Sequence, residues 1–203
     1  MFLRGPFRNK QDLVLASKSP RRQSLLASLG IHFYVQPSKV KEPNPEDFST
    51  PKEYAQATAL LKAQEVSKSF PHQAILSADT IVVKDKEILG KPRDFKQALA
   101  FLEKLAGTSH EVITGVCLLF QREQRIFSVE TEVIMEKFSP EILKAYVLTQ
   151  EPMDKAGAYG IQAIGGFLVK EIKGSYSNVV GLPLTETVKN LLELEIIGLE
   201  ENE

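Results

Sequence analysis

Apolar and polar positions along the chain alternate between short strand-like runs and longer helix-like repeats. Apolar runs rich in β-branched residues predict strands within 12–16, 31–35, 74–89, 110–121, 124–138 and 166–174. Capping residues and helical periodicity predict helices that begin near residues 19, 50, 94, 139 and 183. Hairpins mixed with crossover helices indicate an α/β fold on a mixed sheet, and the two long strands between 110 and 138 are expected at its centre.

Composition and charge then narrow the class of protein. The 203 residues are 43% apolar and 25% charged, and their formal charge of −1 argues against sequence-blind binding to nucleic acid or to an acidic membrane. No uninterrupted apolar run reaches the roughly 18 residues of a spanning helix, and the first residues do not resemble a signal peptide. A single cysteine, Cys117, fits a reducing compartment, so we expect a cytoplasmic protein with Cys117 in its core.

The residues around Ser19 break the usual charge pattern of a helix start. Ser19 is placed at an N-cap and a proline follows it, so Arg21 and Arg22 fall in the first helical turn. The helix dipole is positive there, and each cation costs on the order of 0.3–1 kcal/mol unless an anion offsets it. Free N–H groups, the hydroxyls of Ser17 and Ser19 and two guanidinium groups would suit phosphate oxygens. The alternative is that both arginines extend into solvent or pair with distant carboxylates.

Asp79 stands between two apolar runs, AILSA and TIVV. A carboxylate in such surroundings is rarely buried unless it is paired, hydrogen-bonded or bound to a metal. Asp79 is therefore a candidate metal ligand or general base at the mouth of a cleft. The alternative is that Asp79 ends the first strand and forms an Asx-type turn.

Two further segments combine an unusual backbone with polar side chains. Lys91 lies in a Gly-Lys-Pro turn, where a lysine on a stiff connection can serve as a point charge for phosphate, although an ordinary strand-to-helix connection has the same composition. Residues 154–166 are rich in glycine, so their backbone can approach a ligand closely. Gln162 could read the edge of a base there and Tyr159 could pack on a ring, or the segment could be a flexible connection.

These features fall within four motifs: LASKSPRRQSLL (15–26), SADTIVVKDKEILGKPRD (77–94), DKAGAYGIQ (154–162) and GSYSNVVGLPL (174–184). In this order and spacing the motifs resemble the Maf family of nucleoside triphosphate pyrophosphatases, from about Leu13 to Leu192. The resemblance implies an elongated, two-lobed mixed-sheet fold like that of inosine triphosphate pyrophosphatases, with the active-site cleft between the lobes. We expect an N-terminal extension over 1–12, a single two-lobed Maf-like domain over 13–197 and an acidic tail over 198–203.

The same resemblance implies an activity and a set of site residues. Members of the family hydrolyse a nucleoside triphosphate to the monophosphate and pyrophosphate with a divalent cation, Mg²⁺ or Mn²⁺, and are often homodimers. Asp79 matches the family's catalytic proton acceptor, and we expect Asp79 and Glu42 to hold the metal. The residues expected to bind the substrate phosphates, from the helix start and the resemblance together, are Ser17, Ser19, Arg21, Arg22, Lys62 and Lys91.

The resemblance to the Maf family also implies which substrates the protein accepts. In the branch of the family that acts on dTTP and UTP, three specificity positions hold Arg, Thr and Gln. Here those positions are Arg21, Thr80 and Gln162, so the resemblance implies an enzyme for dTTP, UTP and, as a further candidate class, modified pyrimidine nucleotides.

One departure and one alternative function accompany this expectation. The acidic pair usual in the family is reduced here to Lys41 and Glu42, which leaves one carboxylate to join Asp79 at the metal. The alternative is a non-catalytic, nucleotide-binding regulator of cell division or septum formation. The presence of Asp79, Lys91 and Arg21 favours the enzyme.

Overall fold

The computed structural model describes residues 5–199, which form nine strands and six α-helices. The strands are β1 Phe7–Asn9, β2 Leu13–Leu15, β3 Tyr34–Val35, β4 Ala74–Lys84, β5 Glu87–Leu89, β6 Ser109–Phe120, β7 Glu123–Met135, β8 Val169–Lys173 and β9 Ile197–Leu199. The helices are α1 Pro20–Ala27, α2 Pro51–Ser67, α3 Phe95–Leu105, α4 Pro140–Leu148, α5 Tyr176–Val180 and α6 Leu184–Glu193.

The main sheet has the strand order β3-β2-β4-β6-β7-β8, and β5 pairs with the far end of β4. The β2 strand runs parallel to both β3 and β4, whereas the other pairings in this sheet are antiparallel. The predicted mixed α/β fold is therefore confirmed. The central position predicted for the two long strands is confirmed for β6, which lies between β4 and β7, but β7 lies next to the edge strand β8.

Local capping explains where the longer helices begin. The Thr50 hydroxyl accepts a hydrogen bond from the Glu53 amide at 3.2 Å, and the Glu53 carboxylate accepts one from the Ser49 amide at 3.1 Å. Asp94 caps α3 by accepting a hydrogen bond from the Gln97 amide at 2.8 Å. Each bond satisfies an amide that has no partner within its helix, so α2 and α3 start where the sequence predicts.

The β4 strand is continuous through Asp79, so the alternative of a strand that ends in an Asx-type turn is wrong. Every residue from Ile75 to Val83 is paired in antiparallel register with β6, and Asp79 lies opposite Gly115. This unbroken ladder outweighs the low strand propensity of one aspartate.

The hydrophobic core on one face of the sheet divides between the two ends of the long strands. One cluster packs α1 and α6 against Leu76, Ala78, Val116 and Leu118. The second packs α3 and α4 against Val82, Val112 and Val133. The long strands run through both clusters, as the predicted two-lobed arrangement requires. Between the clusters the same face of β4 and β6 carries two polar residues, Thr80 and Thr114.

The two ends of the described chain meet in a separate ribbon. Antiparallel pairing joins β1 to β9, and the Asn9 side chain bonds both backbone groups of His32, at 2.8 Å each. The strands β1 and β9 and the helix α5 were not predicted, because none of them has a run long enough to show a period. The proposed division of the chain at residues 13 and 197 stays a prediction, and most of the predicted acidic tail lies outside the described residues.

The α2 helix packs so closely on β6 that only glycine fits at position 115. A Cβ added to Gly115 would lie 2.4 Å from the backbone carbonyl of Ala55. We expect Gly115→Ala to lower the free energy of unfolding by about 1–3 kcal/mol, because α2 must move away from the sheet. Urea unfolding measures the effect. Gly90→Ala is the control: a Cβ there meets nothing within 4 Å, and stability should change by less than about 0.5 kcal/mol.

Candidate active site

The β4 strand changes its pairing midway along one of its edges. It pairs with β2 as far as Leu76 and with β5 from Val82 onward. In the part of the chain that the structure describes, residues 77–81 therefore have a strand partner on one edge only, in β6. Asp79 and Thr80 lie in this stretch, and successive side chains of a strand point to opposite faces. The open edge is the place where groups from both faces of the sheet can reach one ligand.

On one face, Lys62 of α2 joins two carboxylates. Its Nζ lies 2.6 Å from Oδ1 of Asp79 and 2.6 Å from Oε1 of Glu42. Asp79 is only 8% exposed, and the ammonium of Lys62 compensates its buried charge. The buried hydroxyl of Ser77 donates to the Ala59 carbonyl at 2.6 Å, which fixes α2 over the strand and so fixes the position of Lys62.

The pKa of Glu42 responds to two further cations, Lys91 and Arg22, which therefore lie close to it. Partial burial by itself raises the pKa of Glu42, but the hydrogen bond and charge of Lys62, together with the charges of Lys91 and Arg22, lower it below its ordinary value. The predicted Lys62, Lys91, Arg22, Glu42 and Asp79 are thus brought together. Lys91 itself is exposed, so its ammonium is accessible to a ligand.

On the other face, Arg22 binds three protein oxygens. Its guanidinium donates to the Gly181 carbonyl at 2.7 Å, to the Thr80 hydroxyl at 2.9 Å and to the Ser17 hydroxyl at 3.2 Å. Burial lowers the pKa of Arg22 and the neighbouring charge of Arg21 lowers it too, while Asp79 opposes both. Arg22 therefore ties α1 to β4 and to the residue after α5, and its predicted binding of phosphate stays a prediction.

The hydroxyl of Thr80 is likewise hydrogen-bonded to protein groups. This hydroxyl lies 2.9 Å from Arg22 and 2.9 Å from the hydroxyl of Thr114, which in turn donates to the Asn178 carbonyl at 3.1 Å. Because Thr114 uses its proton on Asn178, Thr80 donates to Thr114 and accepts from Arg22. The role of Thr80 in base selection stays a prediction, and this geometry favours an indirect one.

The start of α1 is as predicted, but its polar groups are used differently. Ser19 occupies the N-cap position without a side-chain capping bond, and its amide donates to the Ser17 hydroxyl at 3.2 Å. Arg21 is 32% exposed and lies 3.3 Å from the Asp154 carboxylate. The first turn of α1 thus faces the glycine-rich segment as well as the open edge of β4.

In the glycine-rich segment, the side chain of Gln162 is exposed and that of Tyr159 is buried. Gln162 is exposed, and none of the described residues forms a hydrogen bond with its side chain. Tyr159 is 6% exposed and its hydroxyl lies 2.7 Å from Nε2 of His110, so the hypothesis that it packs on a ligand ring is wrong. A side chain that belongs to the core cannot also face a ligand.

Tyr54 is a candidate site residue that the sequence analysis missed. Burial raises the pKa of its phenol, and the carboxylates of Asp79 and Glu42 raise it further, so the ring lies near both. Tyr54, Thr58 and Lys62 recur every four residues along α2, which places them on one helix face. That spacing was the signal available in the sequence.

The donor set suits a divalent cation that takes most of its ligands from substrate and water. The carboxylates of Glu42 and Asp79 lie close together, because each has an oxygen 2.6 Å from the ammonium of Lys62. Within residues 5–199 no group of three or more His, Cys, Asp or Glu side chains forms a closed metal site. Mg²⁺ is commonly held by one or two carboxylates plus phosphate oxygens, so these residues fit it.

Comparison with known proteins places the chain in a family. A family model described as "Maf-like protein" matches residues 12–194, and the chain belongs to the Maf family. Among the curated relatives is a dTTP/UTP pyrophosphatase of Desulfotalea psychrophila, 44% identical over 93% of this chain and 97% of that protein. A dTTP/UTP pyrophosphatase of Symbiobacterium thermophilum is 48% identical over 90% of this chain and 94% of that protein.

A crystal structure of a Vibrio cholerae protein covers 70% of this chain and 72% of its own, at 10% identity and a TM-score of 0.35, which is too distant to support an argument. Within residues 5–199, none of the helices has the length and apolar character needed to cross a bilayer.

The contacts of the two adjacent arginines predict unequal effects of substitution. Arg22→Lys loses the guanidinium that bridges three oxygens, and we expect the free energy of unfolding to fall by about 1.5–3 kcal/mol. Arg21→Lys is the matched control, because its partly exposed ion pair contributes only about 0–1 kcal/mol. Denaturant unfolding of both variants measures the difference, and equal losses would contradict the structural role of Arg22.

His110 predicts a loss of stability in mild acid. Burial, and secondarily the charge of Lys84, lower its pKa from 6.5 to about 4, so only the unfolded chain binds this proton between those values. Stability therefore falls as the pH is lowered from about 6.5 to 4, by about 2 kcal/mol between pH 7 and 5. Urea unfolding at both pH values should show this slope in wild type and in the exposed-site control His72→Gln. His110→Gln should have a flatter slope, and an unchanged slope would contradict the assignment.

Proposed function

We propose that this protein hydrolyses dTTP and UTP to the corresponding monophosphate and pyrophosphate. The observation that carries the proposal is the cluster of Asp79, Lys62 and Glu42 at the open edge of β4, with Lys91 and Arg22 close by. Membership of the Maf family and relatives named dTTP/UTP pyrophosphatase, 44% and 48% identical, give the reaction and the substrates.

The cationic side chains supply what a triphosphate needs. Lys62 and Lys91 would neutralise phosphate oxygens and the charge that builds on pyrophosphate as it leaves. Lys91 is exposed on its turn, whereas Lys62 is held in place by its two carboxylates. Arg22 adds positive potential, although three of its five N–H donors are used by protein oxygens.

Glu42 and Asp79 would hold a divalent cation, Mg²⁺ or Mn²⁺. When bound, such a cation withdraws electron density from the phosphate oxygens and favours attack at phosphorus. The two carboxylates also hold the Lys62 side chain in place before the substrate arrives.

Asp79 would orient the attacking water and accept its proton. In the proposed step an oxygen of water forms a bond to the α-phosphorus, and the bond from that phosphorus to the bridging oxygen breaks. Pyrophosphate leaves with the bonding electrons, and the proton of the water passes to a base. Oδ1 of Asp79 is occupied by Lys62, and none of the described residues bonds Oδ2, which can therefore orient the water and accept its proton.

Recognition of the base is assigned to the other end of the site. Arg21 contacts the segment that carries Gln162, and Gln162 has both a donor and an acceptor free to bond a pyrimidine edge. Thr80 would act through Arg22 and Thr114, to which its hydroxyl is bonded.

A cytoplasmic location and a homodimer belong to the same proposal. Burial raises the pKa of the Cys117 thiol to about 12, which makes it unreactive and fits a protein without disulfides. Exposed apolar side chains on α4, Ile142 at 41% and Leu148 at 65%, offer surface that a second copy could cover. The alternative of a non-catalytic regulator has no observation in its favour.

The function is tested by offering the purified protein each nucleoside triphosphate with Mg²⁺ or Mn²⁺ and measuring pyrophosphate separately from orthophosphate. We expect pyrophosphate from dTTP and UTP, faster than from CTP or purine nucleotides. Orthophosphate without pyrophosphate would show that a different bond is cleaved, and no turnover of any nucleotide would refute the proposal.

Asp79→Asn should abolish turnover of dTTP, because the amide keeps the shape of the side chain but cannot accept the proton. A loss of at least about 10²-fold in kcat is expected, with the protein still folded. The control is Asp85→Asn, since Asp85 lies in the exposed turn between β4 and β5 and its side chain is 74% exposed. Retention of dTTP turnover by a folded Asp79→Asn variant would remove Asp79 from the mechanism.

A further inference from the structure

The segment between α4 and β8 needs specific contacts to stay ordered. It contains only short 3₁₀ turns, at 151–154, 156–158 and 164–168, and four glycines lie between residues 157 and 166. Glycines lose more backbone freedom on folding than other residues, so such a segment stays ordered only where contacts offset that cost. Both Asp154, which meets Arg21, and Gln162 belong to it.

The Glu151 carboxylate closes this segment on itself. It accepts hydrogen bonds from the Ile164 amide at 2.9 Å, the Gly165 amide at 3.2 Å and the Tyr146 hydroxyl at 3.1 Å. Bonds to an ionised acceptor are stronger than neutral ones. The two amides lie two and three residues after Gln162, so this carboxylate determines where the loop that carries Gln162 returns.

Tyr146 holds that carboxylate from within the core. Tyr146 is 2% exposed, and its hydroxyl also accepts a hydrogen bond from the Gly160 amide at 3.3 Å, on the other side of Gln162. Burial raises the pKa of this phenol, so it remains a neutral donor at working pH. A Cβ at Gly165 would lie 2.3 Å from the Tyr146 hydroxyl oxygen, so the close approach depends on glycine.

The same network reaches Arg21 through the first turn of the segment. Lys155 donates to the Glu151 carbonyl at 2.6 Å and to Oδ1 of Asp154 at 2.6 Å, and its side chain is only 12% exposed. The other oxygen of Asp154 accepts from Arg21 at 3.3 Å. A chain of hydrogen bonds therefore connects Tyr146 to the base-binding side of the site.

We propose that Glu151 and Tyr146 are positioning residues for base recognition, which set the backbone of residues 160–165 so that Gln162 meets a pyrimidine edge. This inference rests on the proposed function and deepens it: neither side chain touches the substrate, and both act through the segment. Without the hydrogen bond between Tyr146 and Glu151, Gln162 and Arg21 would leave the geometry in which they discriminate uracil and thymine from cytosine. A small misplacement of this kind costs rate on the correct substrate more than on an incorrect one.

The test compares Tyr146→Phe and Glu151→Gln with wild type by measuring kcat/KM for UTP and for CTP. We expect kcat/KM for UTP to fall about tenfold or more and that for CTP by less than about threefold, so that the UTP/CTP ratio falls. A loss of folded protein lowers both values in the same proportion and leaves the ratio unchanged. Tyr34→Phe is the matched control, since Tyr34 is 62% exposed on β3, and its ratio should equal that of wild type.

The outcomes separate this inference from the proposed function. Absence of UTP and dTTP turnover in wild type refutes the proposed function itself. Normal wild-type turnover with an unchanged UTP/CTP ratio in folded Tyr146→Phe refutes the positioning role. Tyr146→Phe removes a single oxygen atom and decides the question if Glu151→Gln does not fold.

Discussion

One partly buried ion pair, between Asp79 of β4 and Lys62 of α2, determines how the rest of the site is arranged. Burying the charge of an unpaired aspartate in the middle of a core strand would cost too much free energy. The ammonium of Lys62, 2.6 Å from the Asp79 carboxylate, offsets that cost. The pair requires α2 to lie close to the sheet, which explains the glycine at position 115, directly opposite Asp79 in β6. The same ammonium draws in Glu42 from the loop before α2, so a single cation assembles both carboxylates.

The site also depends on what β4 lacks. Because β2 ends before Asp79 and β5 begins after it, the strand has a free edge over residues 77–81 within the described chain. The gap falls between the two hydrophobic clusters, where Thr80 and Thr114 replace apolar residues. In the proposed function, this polar gap at the junction of two apolar halves would accommodate a charged ligand without exposing either half of the core.

Several parts of this arrangement could be predicted from the sequence. Asp79 and Lys91 were identified because each departs from what its local surroundings favour, and the order of motifs connected them to the Maf family. Tyr159 shows the limit of that reasoning, since a tyrosine in a glycine-rich segment serves a ligand or the core equally well in sequence terms. The structure places it against His110 in the core. Tyr54 and Glu151 were missed because their partners lie on other elements or across a loop.

Sequence alone determined the class of fold, the starts of α1 to α4 and of α6, and the chemical types of the candidate residues, because capping, periodicity and charge anomalies are local. Tertiary structure decided which of those residues meet: Arg22 binds protein oxygens, Arg21 faces Asp154, and Lys62 joins two carboxylates. It also decided that β4 runs unbroken through Asp79. The physical reason is that hydrogen bonds and ion pairs between distant segments depend on register and packing, which no local pattern specifies.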